Sequence, residues 1–593
     1  MISKFLKRNF IFYILGFAFL GLNATINTQV PQALGKAISL LEAVSPDKTA
    51  VLNQALIIAL IGMAAFATRF IWRTFIIGTA RRLDCWLRER LYVKFQHLPI
   101  SFYANNSSGD LMAYAINDIN AVRLTFGPAL AMSFNGIVTA TISIVTMILE
   151  VDPLLTLLAL LPVPFTIIYT TVSGRIVRRK FSAVQSLFAK LSGFVNESIS
   201  GIRIIKSFAT EEARKDEFSQ ISSDMRDANI SLVYTSSMVN PVIKATFGLS
   251  YALALIFGGK AVVDGTLDTG TLVTFLGLLL LVQNPVVQLG DIINRVQRGL
   301  ASYKRLKNID DEISIPEEEF LETDEPSAIE GKDIVIKDLT FTYPDAECPS
   351  LDKISLTIKS GSTIGIAGAT GSGKTTLIAA IAKLLPVENG SVIFGNEDIN
   401  DIRASTLRKD IGYVPQDGFL FSATIAQNIA FCDDFPNEEK IKTASELACM
   451  VIEESKFPDG YETEVGERGT HLSGGQKQRI SLARALYRTP TLLLLDDTLS
   501  AVDTVTEQTM LKNIKNLPNT ELYKDKKYRP TTVIISHKLS AIEDCDEIFY
   551  LDNGKIAENG THTQLMEKNG LYAEMYRLQH MSNTLKISEG AKE

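Results

Sequence analysis

The chain has 593 residues, too many for one hydrophobic core, so several domains are expected. A net charge of −7 with no basic stripe sets aside a nucleic-acid partner. The five cysteines (Cys85, Cys348, Cys432, Cys449, Cys545) form no CxxC pair, and no histidine stands at ligand spacing from them, which speaks for reduced thiols and against disulfides or zinc.

In chain order, Lys4, Lys7 and Arg8 precede an apolar run from Phe10 to Leu22. No small-residue cleavage site stands out after it. The run therefore reads as a retained membrane span behind a short basic amphipathic piece on the inner surface, not as a signal peptide. Six stretches, at about 10–40, 51–79, 126–150, 154–177, 239–260 and 269–293, are long enough to cross ~30 Å of hydrocarbon with ~20 residues. The loops Leu41–Ala50, Glu150–Pro153 and Lys260–Gly270 are short and poor in base. The connections at about 80–125 and 178–235 instead carry Arg81, Arg82, Arg88, Arg90, Arg178, Arg179, Lys180, Arg203 and Lys206. That bias places both termini and both long loops in the cytosol of a cell with an inner membrane. Segments 80–100 and 180–235 keep helical periodicity without a Gly/Pro cluster, which predicts that the spans continue as helices well into the cytosol. Breaks at Asn105-Asn-Ser-Ser-Gly-Asp110 and Ala209-Thr-Glu-Glu212 mark places for small helices that touch another domain.

Polar and helix-breaking residues within spans must face protein or a water-filled cavity. Asn23 and Asn27 are spaced i,i+4 on the first span, Pro162 and Pro164 interrupt the fourth, and Gln283-Asn-Pro285 interrupts the sixth. Hydrogen bonds between helices and kinks account for them without a substrate role. Arg69 and Arg73 share a helix face, which suggests an anion site. The apolar stretch before Arg69, however, carries it to the inner interface, where snorkelling is expected; Lys244 is read the same way. The acidic run from Ile309-Asp-Asp-Glu312 through Pro316-Glu-Glu-Glu319 to Glu322-Thr-Asp-Glu-Pro326 reads as a solvated connector.

The remainder alternates short apolar strands with Gly, Asp and Lys. Thr363-Ile-Gly-Ile-Ala367 predicts a buried strand, Gly368-Ala-Thr-Gly-Ser-Gly373 a turn, and Lys374 to Leu385 a helix stopped by Pro386. Strand, GxxxxGKT and helix are the context in which backbone N–H groups converge on phosphate at a helix N-terminus. Lys374 is placed to reach the β/γ-phosphates and Thr375 to offer its hydroxyl to Mg²⁺. Leu492 to Leu495 predict a fully buried strand ending in Asp496, an acid that meets the magnesium shell from across the loop.

With Leu472-Ser-Gly-Gly-Gln476 added, the second half resembles the nucleotide-binding domain of ATP-binding-cassette (ABC) transporters. The whole chain resembles an exporter-type half-transporter. The resemblance implies a membrane all-α six-helix domain with long cytosolic helix extensions, followed by an α/β P-loop ATPase domain. The expected boundaries are 1–305 for the membrane domain, 306–331 for an acidic linker, 332–581 for the nucleotide-binding domain and 582–593 for a polar tail. It implies ATP and Mg²⁺ as cofactors. Gly368, Ala369, Thr370, Gly371, Ser372, Gly373, Lys374, Thr375 and Thr376 match the phosphate-binding motif, and Tyr343 in Phe-Thr-Tyr-Pro344 matches the aromatic that stacks on adenine. Gln416 in Tyr-Val-Pro-Gln416 matches the glutamine that reaches Mg²⁺, which Thr375 and Asp496 also hold, and that senses the membrane half. Ser473, Gly474, Gly475 and Gln476 match the signature that caps ATP bound to a partner domain. Ser500-Ala-Val-Asp503 matches the D-loop, and His537 the switch histidine near the γ-phosphate. Glu464-Val-Gly-Glu-Arg-Gly469 matches the segment that meets intracellular loops. Gly109-Asp-Leu-Met112 with Asn117-Asp118, and Glu197 with Gly201 to Phe208, resemble the two coupling loops.

One position departs from the pattern. Where most active members carry Glu directly after the strand-end acid, this chain has Asp497. The shorter side chain withdraws its carboxylate by roughly 1 Å, and misplacement on that scale can cost on the order of 100-fold in rate. ATP binding with slow hydrolysis is therefore expected at the site holding Lys374, Asp496 and Asp497, beside an intact signature. That combination favours a heterodimer with a second half-transporter that supplies the glutamate; a homodimer in which Asp497 works is the other reading. Smaller departures are Lys538 after His537 and a charged surface insertion, Glu521 to Arg529, with no evident chemistry. The function expected is ATP-driven outward movement of an amphipathic or hydrophobic compound, peptide or lipid by alternating access. The alternatives are an ATP-gated regulatory or channel-like protein of the same architecture and, more remotely, an importer.

Overall fold

The computed structural model describes residues 2–42, 48–321, 327–343, 346–450, 457, 459–466, 469, 472–500, 502–524 and 526–590, with backbone alone at 318 and 582–590. The readings made above on 43–47, Glu322-Thr-Asp-Glu-Pro326, Pro344, Glu467 with Arg468, Ala501 and 591–593 lie outside the described residues. The chain packs as two compact units, Met1–Gln96 with Ser108–Glu312 and His97–Ser107 with Ile313–Glu593.

In the first unit six helices are long and apolar enough to cross a membrane: α1 (Ile2–Glu42), α2 (Lys48–His97), α3 (Ser108–Glu150), α4 (Pro153–Ser200), α5 (Glu211–Val263) and α6 (Thr269–Asp311). The periodicity that continues past the apolar stretches is what lengthens them. At 50 residues, α2 is roughly 75 Å long, more than twice the hydrocarbon thickness. Beyond the apolar region the extensions are tied by polar contacts. The Arg90 guanidinium makes a two-pronged ion pair with Asp310 at 2.9 and 3.1 Å, joining α2 to α6. The buried Asp118 carboxylate accepts from the Ser302 hydroxyl at 2.8 Å and from Arg305 at 2.8 and 2.6 Å, joining α3 to α6.

The chain breaks where turn residues gather. Six-residue helices Ile100–Asn105 and Ile202–Ser207 occupy the two long connections. Extended Asn106 ends the first, and Ala209, with a positive φ of 50°, follows the second. Pro162 separates helical residues Pro153–Leu160 from Val163–Ser200, so α4 is interrupted as expected. The sixth helix is not. It runs unbroken through Pro285, because Gly136 of α3 leaves room opposite the ring: a Cβ built there would lie 3.2 Å from the proline Cβ. Freed backbone groups in such a helix are tolerated when neighbouring helices cover them. Pro31 in α1 is likewise carried within a continuous helix, against Gly277 of α6.

In the second unit a six-stranded sheet has the order β10-β9-β3-β8-β7-β6. Its strands are β3 (Thr363–Gly368), β6 (Ile411–Val414), β7 (Leu492–Asp496), β8 (Thr531–Ile535), β9 (Glu547–Asp552) and β10 (Lys555–Gly560). A second sheet, β2-β1-β4-β5, is built from β1 (Ile334–Phe341), β2 (Leu351–Ile358), β4 (Val392–Phe394) and β5 (Glu397–Asp398). Strand β7 shows why the first sheet is buried on both faces. Leu492 and Leu494 enter one apolar cluster, Leu493 and Leu495 the other, and all four are fully buried. Alternation with period two sends successive side chains to opposite faces, each leucine contributing roughly 2 kcal/mol by burial. The helix after β3, α7 (Lys374–Ile381), stops short of Leu385, because Lys383 turns to a φ of 51° while its ammonium reaches Glu319 at 3.0 Å. Glu319 also accepts from the Ala404 N–H at 2.7 Å, so this part of the acidic run is anchored rather than free in solvent. His97, which belongs to this unit, accepts from the Ile315 N–H at 2.7 Å and meets the Phe320 ring edge-on.

Helices α1 and α6 approach closely at Gly35 and Gly270, where a Cβ on Gly270 would run into the Gly35 carbonyl oxygen. Gly270→Val is expected to lower the unfolding midpoint of the lipid-reconstituted protein by on the order of 5 °C. Gly62→Ala, whose added carbon meets nothing within 4 Å, is expected to leave it unchanged; differential scanning fluorimetry on both variants checks this.

Candidate functional site

Strands β3, β8, β7 and β6 are adjacent and parallel, so their C-terminal ends fall along one edge of the sheet. Sheets of this kind bind ligands outside those ends. The chain leaves β3 at Gly368, β7 at Asp496 and β8 at Ile535, and Gln416 follows β6 by two residues. A cavity of about 290 Å³ opens there. It is lined by Tyr343, residues 370–376, Gln416, Asp496, Asp497 and His537, together with Ser350 and Ile535.

The turn after β3 is set by its glycines. Gly373 caps α7 (Lys374–Ile381) with φ 97°, and a Cβ there would strike the Ser350 carbonyl oxygen. Gly371, at φ 81°, faces open space instead. This turn aims the start of α7 into the cavity. Lys374 is buried, and its ammonium donates to the Gly368 and Ala369 carbonyls at 2.9 and 2.7 Å. Burial lowers its pKa, while nearby Asp496 and Asp497 act the other way.

Across the cavity the Thr375 hydroxyl donates to one Asp496 oxygen at 3.2 Å, and the other Asp496 oxygen is buried without a hydrogen-bond partner among the described residues. Burial pushes this carboxyl up, against the Thr375 hydrogen bond; Asp497 adds to the rise and Lys374 opposes it. A desolvated acceptor without a donor is costly and is the complement of a cation. Hard oxygen donors of this kind suit Mg²⁺ sharing its shell with phosphate, so the residues present fit that ion. Among the described residues no group of three or more His, Cys, Asp and Glu could hold a metal by itself.

Asp497 is buried, with its backbone at φ 48°, a left-handed conformation that Asp enters more readily than most side chains. Its carboxylate accepts from the His537 N–H at 3.3 Å, and its carbonyl accepts from the Ser500 hydroxyl at 2.9 Å. Tyr343 stands 3.4 Å from Thr376, hydroxyl to hydroxyl.

The remaining sequence-predicted residues lie elsewhere. Gly368 and Ala369 lend carbonyls to Lys374 but do not line the cavity. Ser473, Gly474, Gly475 and Gln476 are outside it. They form the start of α8 (Gly474–Tyr487), where the Ser473 and Gln476 side chains cap each other's backbone N–H groups. Asp503 likewise caps α9 (Thr504–Lys515), accepting from the Thr506 N–H at 3.0 Å.

Sequence reasoning missed two supports of this site. Lys538 makes a 2.8 Å ion pair with buried Glu507 of α9, which holds the segment after β8. The Gln579 side chain, on α10 (Leu571–Gly590), donates to the His537 carbonyl at 2.7 Å and accepts from the Leu539 N–H at 3.0 Å. Nothing local in the sequence marks a glutamine so far downstream. Gln579→Ala is expected to speed hydrogen exchange of the 537–539 amides about tenfold, the worth of one or two hydrogen bonds. The global unfolding midpoint should barely move, and hydrogen–deuterium exchange mass spectrometry reads the difference.

Family comparison places an ABC transporter transmembrane region at residues 13–286 and an ABC transporter ATPase region at residues 351–500. The chain is 35% identical over 562 residues to the "probable multidrug resistance ABC transporter ATP-binding/permease protein" of Bacillus subtilis, covering 95% of this chain and 94% of that one. It is 31% identical to a multidrug resistance-like ATP-binding protein of Escherichia coli, over 98% and 97% of the two chains. It is also 31% identical to an ATP-dependent lipid A-core flippase of Syntrophus aciditrophicus, over 84% and 81%. A solved bacterial Atm1-family ABC exporter with ATP bound superposes with a TM-score of 0.75 at 24% identity, over 97% and 98% of the chains, a likeness of fold.

Proposed function

The chain belongs to the ABC transporters, with membrane region and ATPase fused in one polypeptide, and on that premise we propose that it is one half of an exporter moving an amphipathic or hydrophobic compound, or a lipid. It is a multi-pass membrane protein with a cytosolic ATPase domain, and its ATP hydrolysis is coupled to transport. The relatives named for multidrug resistance and lipid A-core flipping support the cargo class.

One observation carries the nucleotide chemistry: Lys374, Thr375 and an Asp496 oxygen without a partner meet in a single cavity. In this reading Lys374 exchanges its two loop carbonyls for phosphate oxygens, and the N–H groups opening α7 add to the cradle. Thr375, Asp496 and Gln416 hold Mg²⁺, which when bound offsets charge on the phosphate oxygens. Tyr343 supplies a ring for the base. The placement of Ser473–Gln476 outside the cavity supports a cap donated to a partner's nucleotide. Alternating access then follows as a two-state equilibrium biased by ATP.

Asp497 sets the expected rate. Its carboxylate is one methylene short and already accepts from the His537 N–H, so it is poorly placed to polarise an attacking water. We assign the chain to the slow-site position of a heterodimer on that basis. Purified alone in lipid, the chain is expected to hydrolyse ATP at a small fraction of a turnover per second, and Asp497→Glu to raise the rate by about 10- to 100-fold. Turnover of several per second in the native chain, unchanged by Asp497→Glu, would contradict the slow-site assignment and favour a working homodimer.

A further inference from the structure

A polar cavity of about 700 Å³ in the first unit is bounded by α1, α2, α3 and α6. Its volume suits a drug-sized ligand or a lipid head. Arg69, Trp72 and Arg73 enter it from α2, opposite Asn135 of α3 and Asn284 and Gln288 of α6. Asn23 lines it as well, but its amide is committed to α2, donating to the Ala65 carbonyl at 2.8 Å and the Thr68 hydroxyl at 2.9 Å.

The free polar groups lean toward donors. No Asp or Glu is among the lining residues. Among the described residues neither guanidinium has an ion pair or hydrogen bond, and the buried Trp72 indole N–H has no acceptor. An indole and a guanidinium can only donate, and the amides of Asn135, Asn284 and Gln288 each bring two donors. Two like charges four residues apart on one helix face repel, and charge at membrane depth is costly unless paired.

The same two arginines also border a second opening of about 420 Å³, with Phe66, Phe70, Thr74 and Ile77. They therefore stand between a donor-rich chamber and an apolar aromatic groove. At 1.5 Å per residue Arg69 lies about 32 Å along α2 from Lys48, roughly one hydrocarbon thickness. The depth agrees with the inner interface expected from the sequence. The direction differs, because both side chains border a chamber that α1, α3 and α6 also line.

Resting on the export reading, we infer that this chamber binds an amphiphile with an anionic head, phosphate or carboxylate, clamped by Arg69 and Arg73 with its apolar part along Phe66 and Phe70. The Trp72 N–H and the three free amides complete the head site. A cationic head is repelled, and a neutral head accepts hydrogen bonds but leaves the two guanidinium charges unbalanced, so the site discriminates by charge.

The chain has two tryptophans, and Trp86→Phe leaves Trp72 as the sole reporter inside the cavity. Full-length Trp86→Phe protein in phosphatidylcholine nanodiscs is titrated with dodecyl phosphate, dodecyl maltoside and dodecyltrimethylammonium while Trp72 emission is read. Dodecyl phosphate is expected to bind saturably and about tenfold or more tightly than either other head, and inorganic phosphate alone not to saturate the site. Arg69→Gln with Arg73→Gln is expected to erase the preference, and Arg69→Lys with Arg73→Lys, which keeps the charge, to retain most of it. Competition by phosphatidylglycerol in the disc assigns the head to a membrane lipid, and its absence assigns it to a non-lipid amphiphile. Equal affinity for the three heads, no saturable change with any of them, or a preference that survives the double Gln change overturns the anion site. MgATP added last separates the two readings. An anion preference that MgATP leaves unaltered in discs holding this chain assembled with its partner half-transporter defeats coupled export and leaves the binding site standing.

Discussion

A buried ammonium organises the ATPase unit. Lys374 has little water to solvate it and turns to the carbonyls of its own loop, a stopgap that satisfies its donors but not its charge. Opposite stands a carboxylate with one oxygen satisfied and one not. Such a pair is electrostatically unfinished on its own, and a polyanion with a divalent cation completes both halves at once. The sheet order exists to bring these groups together: only adjacent parallel strands deliver Gly368, Asp496 and the segment to His537 to the same edge.

The membrane unit answers a different constraint. In hydrocarbon every backbone polar group must be met internally, and the six long helices do this even through Pro31 and Pro285. Polar side chains are then kept only where protein or a cavity receives them. Asn23 meets Thr68 and the Ala65 carbonyl, whereas Arg69 and Arg73 meet no protein acceptor among the described residues and border the chamber instead. Ion pairs at Arg90–Asp310 and Arg305–Asp118 brace the extensions, so that the helices act as long levers and not as separate spans.

Much of this was legible in the sequence, for reasons that differ by element. The six spans and their extensions follow from run length and periodicity. The cradle follows from glycines at fixed spacing before Lys374, and β7 from four leucines closed by an acid. What stayed hidden depends on groups far apart in the chain. Pro285 looks like a break until Gly136 is seen opposite its ring. Arg69 and Arg73 look like interfacial residues until Asn135, Asn284 and Gln288 appear across the chamber. Gln579 carries no signal at all until α10 is folded back on the His537 segment. Ser473 and Asp503 show the converse. Their motifs are plain, yet within one chain both serve as helix caps, and a role toward a partner's nucleotide is a proposal.

That division is the central proposal: this chain is proposed to bind ATP with its own Lys374 cavity and to donate Ser473–Gln476 to a partner's. The most direct test is Ser473→Arg in the assembled, lipid-reconstituted transporter, with ATP affinity of this chain's own site and steady-state turnover measured side by side. The expected result is unchanged affinity at the Lys374 site with turnover reduced about 100-fold or more, as for loss of a group aimed at transition-state charge. Weakened ATP binding at this chain's own cavity, or turnover left intact, would contradict it.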